Sequence, residues 1–583
     1  MNRGLLTITA LSFACTLQAQ TVLASTTGAA ASELLGRTVQ AVGDVDGDGR
    51  SDFVVGTPFA VTPTGASSGG AVRLVSGVSG TVIFSTTGGS NLQQLGIAVA
   101  RAGDANLDGT PDYAAGQPWF GPPSPFPTTP PQPAVVVFSG ATGGIIRTLL
   151  APAGASEFGA ALANAGDRSG DGIDDFLVGA RSSATAYLVN GVSGGVIQSF
   201  SGVAGSRFGN SVAALGDLNG DGIGELLIGA SSETLGTVTS IGVAHLYDGA
   251  SGAQIRTHSG MFALDGFSST TAAVADVNGD GAADYCIGAP SGDWNGLLNV
   301  GVVNMFSGAT GALLWSRQGT QNYLSTTVND LGEVLGSALS SAGDVNWDGV
   351  PDVLIGASGH NGAVEDCGRV ELVSGNTGAV LATFVGAALD DATGSAVAAL
   401  DDSDMDGWPE VLVGTQRHDA PGAIDAGRVD IVSFGPFLGA CANGTYSIVQ
   451  LHVNGSQGGA AHRVDIALNA PISINMWNLS MSPLPADFLL FAKVGAPTAN
   501  DVTAIPGVGS MCFAPSLMAP WDPSLFLLAS SFTALPGLIP ATGASWGITI
   551  PALGFPVRVA LQAVVSFPAG NFWVSNAVLA NIR

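Results

Sequence analysis

A short acidic motif occurs seven times in this chain and constrains the fold more than any other feature. Its first copy reads Asp44-Val-Asp46-Gly-Asp48-Gly49-Arg-Ser-Asp52 and runs directly into the apolar stretch 53–55. The other six copies recur at intervals of 50 to 68 residues and begin at Asp104, Asp167, Asp217, Asp276, Asp344 and Asp402. A period of this length indicates a repeat architecture, in which each copy belongs to one supersecondary unit.

Side chains that carry oxygen occupy positions 1, 3, 5 and 9 of every copy, and a glycine follows position 5. Hard oxygen ligands at this density suit Ca²⁺, which takes about six to eight of them at roughly 2.3–2.6 Å. Carboxylates packed into one turn would repel each other strongly if no cation bound there. We therefore expect Ca²⁺ as a cofactor, at up to seven sites. The candidate ligands, copy by copy, are Asp44, Asp46, Asp48 and Asp52; Asp104, Asn106, Asp108 and Asp112; Asp167, Ser169, Asp171 and Asp175; Asp217, Asn219, Asp221 and Glu225; Asp276, Asn278, Asp280 and Asp284; Asp344, Asn346, Asp348 and Asp352; and Asp402, Asp404, Asp406 and Glu410.

The motif differs from the EF-hand loop, which needs a bidentate glutamate at position 12 and flanking helices. Position 12 is apolar in all seven copies, where it is Val55, Ala115, Val178, Ile228, Ile287, Ile355 and Val413. These residues lie in short apolar runs that end at glycine, and such runs are typical of buried strands. Each acidic loop is therefore predicted to join two strands.

Each repeat contains four segments that resemble strands. In the first repeat, one segment starts near Leu35-Gly36 and leads into the loop, and a second follows the loop and ends at Gly56-Thr57-Pro58. The third is Ala71–Val75 and the fourth, after a glycine turn, is Thr81–Ser85. Four strands per repeat, arranged radially, form a β-propeller. The sequence thus predicts an all-β chain with a seven-bladed propeller.

The last repeat predicts how the ring closes. It reaches a third strand at Arg428–Phe434 but lacks the glycine turn that leads to a fourth strand in the other repeats. The N-terminal stretch Thr21–Gly28 resembles the fourth strand of the first repeat and its flank, 81–88, and each precedes a Leu-Gly pair by the same distance. We infer that the N-terminal strand completes the seventh blade and covers edges that would otherwise be open to other chains.

Three recurring elements together resemble the FG-GAP repeat of the integrin α-subunit N-terminal β-propeller, over about residues 21–436. They are the Phe-Gly or Leu-Gly pair, the acidic loop, and a Gly-Ala-Pro-like sequence such as Gly288-Ala289-Pro290. This resemblance implies calcium in the loops between the first and second strands, and partners bound by loops of the opposite face. Some repeats depart from the pattern, with Arg168 in the third loop, Phe267-Ser268 in the fifth repeat and Thr393-Gly394 in the seventh.

The chain divides into three segments by sequence character. Residues 1–19 are typical of a signal peptide, with Arg3, an apolar stretch and a small-residue cleavage site, so we expect a secreted protein, extracellular or at the cell surface. Residues 20–436 are the predicted propeller. Residues 437–583 contain alternating stretches separated by proline and glycine, which predict a C-terminal antiparallel β-sandwich. No stretch after the signal peptide is long and apolar enough to predict a membrane span.

Four cysteines follow the signal peptide and allow three disulfide pairings, between Cys286, Cys367, Cys441 and Cys512. The pairing of Cys441 with Cys512 is preferred because both lie in the final segment. Cys286 lies in an apolar run of a second strand and is predicted to be a buried thiol.

The net charge of −27 is concentrated in the repeats, because acidic and basic residues cancel after residue 437. Many of the acidic side chains are candidate metal ligands, so the acidity is mainly a feature of metal binding. An acidic surface argues against nucleic acid or an anionic membrane as a partner.

Loop length and aromatic content suggest a binding face. The second repeat carries a long proline-rich insert between its second and third strands, and the fifth and sixth repeats have longer connections at the same place. Long loops on a rigid scaffold commonly carry binding, and exposed aromatic residues anchor partners. The candidate ligand-binding residues are Trp119, Phe120, Trp294 and His360.

The preferred hypothesis is a secreted binding or adhesion protein, stabilised by calcium, for an extracellular protein or polysaccharide. No catalytic constellation is recognised, since the six histidines are scattered and neither a His-Glu-x-x-His motif nor a phosphate-binding loop is present. Two alternatives stay open: a secreted propeller enzyme that acts on polysaccharide or phospholipid, and an architectural surface protein without a specific ligand.

Overall fold

The computed structural model describes residues 20–119, 132–321, 332–346, 348–404 and 408–434, and the backbone of strands between residues 449 and 582. Residues Gln20–Phe434 form one compact unit. This unit contains seven four-stranded antiparallel sheets, and each sheet uses its strands in the order in which they follow along the chain, except at the ring closure. The seven sheets are the blades of a β-propeller, which confirms the predicted fold.

The strands of the blades are named in chain order from β1 to β28. The first strands of the blades, which precede the acidic loops, are β2 (Thr38–Gly43), β6 (Val99–Arg101), β10 (Phe158–Gly166), β14 (Phe208–Ala214), β18 (Thr270–Val274), β22 (Leu335–Gly343) and β26 (Thr393–Ala399). The second strands are β3 (Asp52–Thr57), β7 (Tyr113–Gln117), β11 (Asp175–Ala180), β15 (Leu226–Ala230), β19 (Asp284–Ala289), β23 (Asp352–Ala357) and β27 (Val411–Thr415).

The outer half of each blade completes the set. The third strands are β4 (Ala71–Val75), β8 (Ala134–Phe138), β12 (Thr185–Val189), β16 (Val243–Tyr247), β20 (Val302–Phe306), β24 (Arg369–Val373) and β28 (Arg428–Ser433). The fourth strands are β5 (Val82–Thr87), β9 (Ile145–Leu150), β13 (Val196–Ser201), β17 (Gln254–Ser259), β21 (Leu313–Gln318), β25 (Val380–Val385) and, for the seventh blade, β1 (Thr21–Thr27). A short 3₁₀ turn, Arg181–Ser183, joins β11 to β12.

Burial explains why the strands differ in sequence pattern. The second strand of a blade is buried on both faces, as in β3, where every residue is buried, so it reads as a continuous apolar run. The fourth strand lies at the outer edge and contains only exposed and half-buried residues in β5. Neighbouring blades share a core: Tyr113 and Phe138 of blade two stack at 5.2 Å between ring centres and pack with Val54 and Leu74 of blade one.

The N-terminal strand closes the ring as predicted. β1 pairs antiparallel with β28, from Thr21 opposite Ser433 to Thr27 opposite Arg428. The pairing is reinforced by side chains, since the Ser25 hydroxyl donates to Asp430 Oδ1 at 2.6 Å. The outer edge of β28 is therefore paired rather than open to another chain.

Glycine is required where consecutive blades touch. In the second strand of blade two, a Cβ added at Gly116 would lie 1.9 Å from the carbonyl oxygen of Gly159, in the first strand of blade three. The same contact joins blade seven to blade one, where a Cβ at Gly414 would lie 2.1 Å from the Gly36 carbonyl oxygen. The paired glycines of the repeat thus let the backbones of neighbouring blades approach closely.

The departure in blade five has a local explanation. Ser268 replaces the usual glycine of the first strand and adopts a left-handed φ of 63°. Its hydroxyl donates to the carbonyl of Val243 at 2.8 Å and accepts the N–H of Ala230 at 3.0 Å. These two buried hydrogen bonds offset the conformational strain of a non-glycine residue in this region.

The C-terminal segment also forms strands. They are β29 (Val449–Val453), β30 (Ser456–Gly458), β31 (Ala461–Ile466), β32 (Pro471–Asn478), β33 (Asp487–Val494), β34 (Thr503–Ile505), β35 (Gly509–Met511), β36 (Leu525–Ser530), β37 (Ala544–Thr549), β38 (Val557–Ser566), β39 (Phe572–Val574) and β40 (Ala577–Ile582). One sheet has the order β30-β29-β32-β37 and another the order β31-β40-β38-β33-β36. β31 and β40 pair in parallel, so the segment is not wholly antiparallel. Its arrangement as a sandwich stays a prediction.

Two of the four cysteines lie within the propeller as buried free thiols, Cys286 and Cys367. Cys286 was predicted as a buried thiol, and burial raises its pKa far above that of an exposed cysteine, so the thiol stays protonated. Cys441 and Cys512 lie outside the described residues, and their pairing stays a prediction.

Candidate metal centres

Every acidic loop lies between the first and second strands of a blade, where the sequence places it. Because the strands of a blade are antiparallel, these loops share one face of the propeller with the turns between third and fourth strands. The connections between second and third strands, and those that lead to the next blade, lie on the opposite face. The propeller therefore presents an acidic face and a face built from longer loops.

The loop wraps around its first carboxylate. In blade one, Asp44 Oδ1 accepts the N–H of Gly47 at 2.7 Å, and Oδ2 accepts the N–H of Gly49 at 2.9 Å. The first carboxylates of blades two to six accept the corresponding glycine N–H after position 5 at 2.7–2.9 Å. These donors hold the pKa of Asp167 and of Asp217 below the ordinary value, so the carboxylates stay ionised.

The carboxylate at position 5 folds back onto the next part of the loop. Asp108 Oδ1 accepts the N–H of Thr110 at 2.9 Å, and Asp280 Oδ1 accepts that of Ala282 at 3.0 Å. These bonds lower the pKa of both carboxyls. They use only one oxygen of each carboxylate. The loop therefore presents ionised oxygens that its own backbone has already oriented.

Position 9 is the most constrained of the four ligand positions. Its side chain is fully buried in every blade. In blade one, Asp52 Oδ2 accepts the N–H groups of Val45 and Asp46, at 2.8 and 3.2 Å, and Oδ1 accepts that of Gly77 at 3.0 Å. Gly77 belongs to the turn between the third and fourth strands, so position 9 ties the acidic loop to that turn. Oδ1, which accepts a single bond, keeps a lone pair for a metal ion.

The other aspartates at position 9 repeat this pattern. The turn glycines Gly140, Gly191, Gly308 and Gly375 donate at 2.8–3.3 Å to Asp112, Asp175, Asp284 and Asp352. Burial raises the pKa of these carboxyls, in Asp352 to about 7, against the effect of the N–H donors. A cation in the loop would favour their ionised form.

Several predicted ligands converge closely enough to share one ion. Oxygens of Asp44, Asp46 and Asp48 lie within 4.8 Å of one another, and so do oxygens of Asp402, Asp404 and Glu410. Two oxygens that bind one Ca²⁺ at roughly 2.4 Å are at most about 4.8 Å apart, so the spacing fits this ion. A third cluster, of Asp221, Glu225 and Asp248, includes a residue from outside the motif. Asp406 lies outside the described residues.

The third loop accommodates the arginine that departs from the pattern. Arg168 donates from Nε to the carbonyl of Ala165 at 2.6 Å and from Nη1 to that of Gly224 at 2.7 Å. Gly224 belongs to the neighbouring loop of blade four. The arginine thus links two acidic loops through their backbones.

The predicted ligand-binding residues of the opposite face are not brought together. Trp119 and Trp294 are half-buried in loops of blades two and five, and no ring contact joins them among the described residues. Phe120 lies outside the described residues. His360 is buried, with Nδ1 at 3.4 Å from Glu333 Oε1.

His360 borders an ionic network that sequence reasoning did not reveal. Arg369 Nη2 lies 2.5 Å from Glu333 Oε1 and 2.7 Å from Glu371 Oε1, and Arg317 of blade five also pairs with Glu371. Burial acts to raise the pKa of Glu333, but the proximity of His360 and the charge of Arg369 outweigh it and lower the pKa. The network joins blades five and six.

Exposed apolar side chains are concentrated on the loop face. The loops between second and third strands, and those between blades, expose Val61, Val203, Leu235, Met261, Phe262, Leu264, Leu298, Leu389 and Ile424. The connections of the acidic face expose Val78, Leu107 and Val192. Leu264 donates its N–H to Ser240 at 3.0 Å, so the loop with Met261 and Phe262 rests on the loop that carries Leu235.

Two Gly-x-Ser-x-Gly stretches of the propeller, at residues 65–69 and 191–195, resemble the nucleophile motif of α/β-hydrolases. Each connects two strands, and no helix follows it, so neither has the turn from strand to helix that exposes such a serine. FG-GAP propellers are typically non-catalytic.

Comparison with known proteins gives one family. None of the curated proteins compared with the chain matches it. Within the described part of the chain, no helix has the length and apolar character needed to cross a membrane. The family model of the FG-GAP repeat matches residues 36–75 and 208–247, in blades one and four. FG-GAP repeats occur in extracellular or cell-surface proteins, and the fold fits a binding or adhesion role. The chain thus contains FG-GAP repeats at residues 36–75 and 208–247, and its seven-bladed β-propeller is consistent with an integrin α-like FG-GAP propeller.

Proposed function

We propose that this chain is a secreted binding or adhesion protein, stabilised by calcium, that recognises an extracellular protein or polysaccharide through the face opposite the acidic loops. The observation that carries the proposal is the division of the propeller into two faces. Preoriented carboxylates lie on one face, while exposed apolar side chains concentrate in the loops of the other. Clustered apolar residues on a surface mark sites of interaction.

Calcium is proposed because the loops fit its chemistry. Oxygens of Asp44, Asp46 and Asp48 lie within 4.8 Å of one another, and their mutual repulsion favours a bound cation. Extracellular calcium modules bind at about 10⁻⁴–10⁻³ M, and a site at 100 times its Kd adds roughly 2.7 kcal/mol to the free energy of unfolding. Several occupied loops would together rival a typical domain stability of about 5–15 kcal/mol.

Scanning calorimetry with and without chelator tests the calcium proposal. Excess chelator is expected to lower the melting temperature strongly, and added Ca²⁺ is expected to restore it. Mg²⁺ at the same concentration is the control, because Mg²⁺ demands octahedral geometry and sheds its water reluctantly. An unchanged transition in excess chelator would refute a stabilising role for calcium.

The binding face is tested by a ligand screen with paired variants. The intact protein is applied to arrays of matrix proteins and of cell-wall polysaccharides in the presence of Ca²⁺. Two double variants are then tested against a ligand found this way. One combines Phe262→Ala with Leu264→Ala, and the other combines Trp119→Ala with Trp294→Ala. Each is expected to weaken binding at least about tenfold, as the loss of anchor residues does. Leu107→Ala, which removes an exposed apolar side chain from the acidic face, is the matched control. Full binding by both double variants, or equal loss in the control, would contradict the proposed face.

A further inference from the structure

The acidic loop of blade four has a fourth carboxylate that the repeat motif does not contain. Oxygens of Asp221, Glu225 and Asp248 lie within 4.8 Å of one another. Asp221 and Glu225 are at positions 5 and 9 of the loop, whereas Asp248 opens the turn between β16 and β17. The fold therefore brings to the loop a residue that lies more than 20 positions further along the chain.

Other blades place a neutral residue at the position of Asp248. The equivalent residues are identified by a shared turn hydrogen bond, from their N–H to the carbonyl five residues later, and they are Ser76, Ser139, Asn190, Ser307 and Ser374. In blades three and five this residue donates to the position-5 carboxylate: Asn190 to Asp171 Oδ2 at 2.7 Å, and Ser307 to Asp280 Oδ2 at 3.0 Å.

Blade four differs, because the turn residue is the anion Asp248 and it faces the anion Asp221. Asp248 cannot donate to Asp221 when both are ionised. The Asn219 amide instead donates to both, at 2.6 Å to Asp248 Oδ2 and at 3.2 Å to Asp221 Oδ2. Asp248 Oδ1 accepts hydrogen bonds from the Ser251 N–H and hydroxyl, each at 2.6 Å, so these neighbours act as donors to a carboxylate. Two like charges held this close favour a cation between them.

Glu225 gives independent evidence that a metal ion binds in this loop. Its side chain is fully buried, and Oε2 accepts the N–H of Leu218 at 2.6 Å. Among the residues that the structure describes, none donates a hydrogen bond to the buried Oε1, whereas the corresponding Oδ1 of Asp52 and of Asp112 accepts a turn glycine N–H. A buried carboxylate oxygen with no donor is costly unless a metal ion binds it.

We propose that blade four holds its calcium ion with Asp248 as an additional ligand and with the free Oε1 of Glu225, and that this loop binds calcium more tightly than the three-carboxylate loops of blades two, three, five and six, whose turns begin with a neutral residue. The proposal rests on the proposed calcium binding of the acidic loops. Asp217, Asp221, Glu225 and Asp248 give the site four carboxylates, and affinity for Ca²⁺ rises with ligand charge.

The test follows each loop separately by hydrogen exchange and mass spectrometry while free Ca²⁺ is varied. Segments 217–225 and 248–252 are expected to become protected at a Ca²⁺ concentration at least tenfold lower than the loops of blades two and five. Asp248→Ser, which installs the residue of four other blades, is expected to move that midpoint up at least tenfold. Asp419→Ser removes the same charge from an exposed site on the opposite face, and it is expected to change nothing.

The outcomes separate this inference from the proposed function. If no loop gains protection with Ca²⁺, the calcium proposal itself fails. If the loops gain protection but segment 217–225 responds alike in the wild type and in Asp248→Ser, Asp248 is not a ligand. Should Asp248→Ser not fold, Asp248→Asn, which imitates Asn190 of blade three, replaces it. Glu225→Gln keeps the side-chain volume and is expected to raise the same midpoint, and an unchanged midpoint would overturn the role of Oε1.

Discussion

Replacing Gly116 with alanine would test whether the blades touch through their backbones. An added Cβ would lie 1.9 Å from the carbonyl oxygen of Gly159, 2.9 Å from its carbonyl carbon and 3.3 Å from its Cα. All three atoms belong to the backbone, so no side chain can rotate away to make room. Gly116 does not have a left-handed φ, and alanine therefore adds no backbone strain of its own.

The expected cost follows from the size of the overlap. Overpacking a well-packed core costs about 1–3 kcal/mol. A contact that two strands must separate by about 1 Å to relieve belongs at the upper end, so we expect about 3 kcal/mol. Unfolding entropy of about 2.1 cal/mol/K per residue, over the 415 residues of Gln20–Phe434, makes each kcal/mol worth about 1 °C. The melting temperature should fall by about 3 °C.

Urea unfolding and calorimetry at saturating Ca²⁺ measure this effect. Gly89→Ala is the matched control, because a Cβ there would meet nothing within 4 Å and Gly89 does not have a left-handed φ. This control is expected to be neutral, or stabilising by up to about 1 kcal/mol through the unfolded state. Equal stability of the two variants would refute the close approach of blades two and three.

Three further predictions concern buried polar groups. The Tyr113 hydroxyl is buried without a hydrogen-bond partner among the described residues, so Tyr113→Phe should leave the free energy of unfolding unchanged or raise it by about 1 kcal/mol. Tyr285→Phe removes a 2.7 Å hydrogen bond to His258 and should cost about 1 kcal/mol, and urea titrations that rank the two variants the other way would contradict this reasoning. Burial, and to a lesser extent the charge of Arg256, lowers the pKa of His258 from 6.5 to about 4. As the pH falls, the unfolded chain therefore takes up this proton before the folded protein does. This contribution to stability is complete above pH 6.5 and is lost as the pH falls towards 4. After allowance for the half-exposed ring we expect about 1–2 kcal/mol, measured as the difference in pH dependence between the wild type and His258→Gln; parallel curves for the two proteins would show that His258 does not titrate this way.

The repeat motif was sufficient to predict the fold of the propeller because it marks the same place in every blade. Loop position 12 falls within a second strand in all seven blades, and the predicted third strand Ala71–Val75 is observed with the same bounds. The resemblance of Thr21–Gly28 to 81–88 predicted the pairing of β1 with β28, since both stretches fill the outermost place of a blade.

The role of position 9 could not be predicted, because its partners are distant in sequence. Asp52 looks like a fourth ligand in the motif, but the N–H that ties it down comes from Gly77. Asp248 was missed for the same reason, since it contacts the loop only through the folded blade. Aligning the turns would have found it, because Asp248 is an acidic residue where the aligned turns have serine or asparagine. The ion pairs of Arg369 leave no comparable sequence signal.

The pairing of β1 with β28 has a consequence for the order in which the chain can fold. Ser25 and Asp430, which this pairing joins, are 405 residues apart. During synthesis, which proceeds from the N-terminus, the first strand must wait without its partner while six complete blades emerge. Such a long-range contact slows the final step, because the entropy of loop closure opposes it. A circular permutant of residues 20–434 alone, with Phe434 linked to Gln20 and new termini between β5 and β6, would make this contact local. Its folding rate would reveal whether ring closure limits folding.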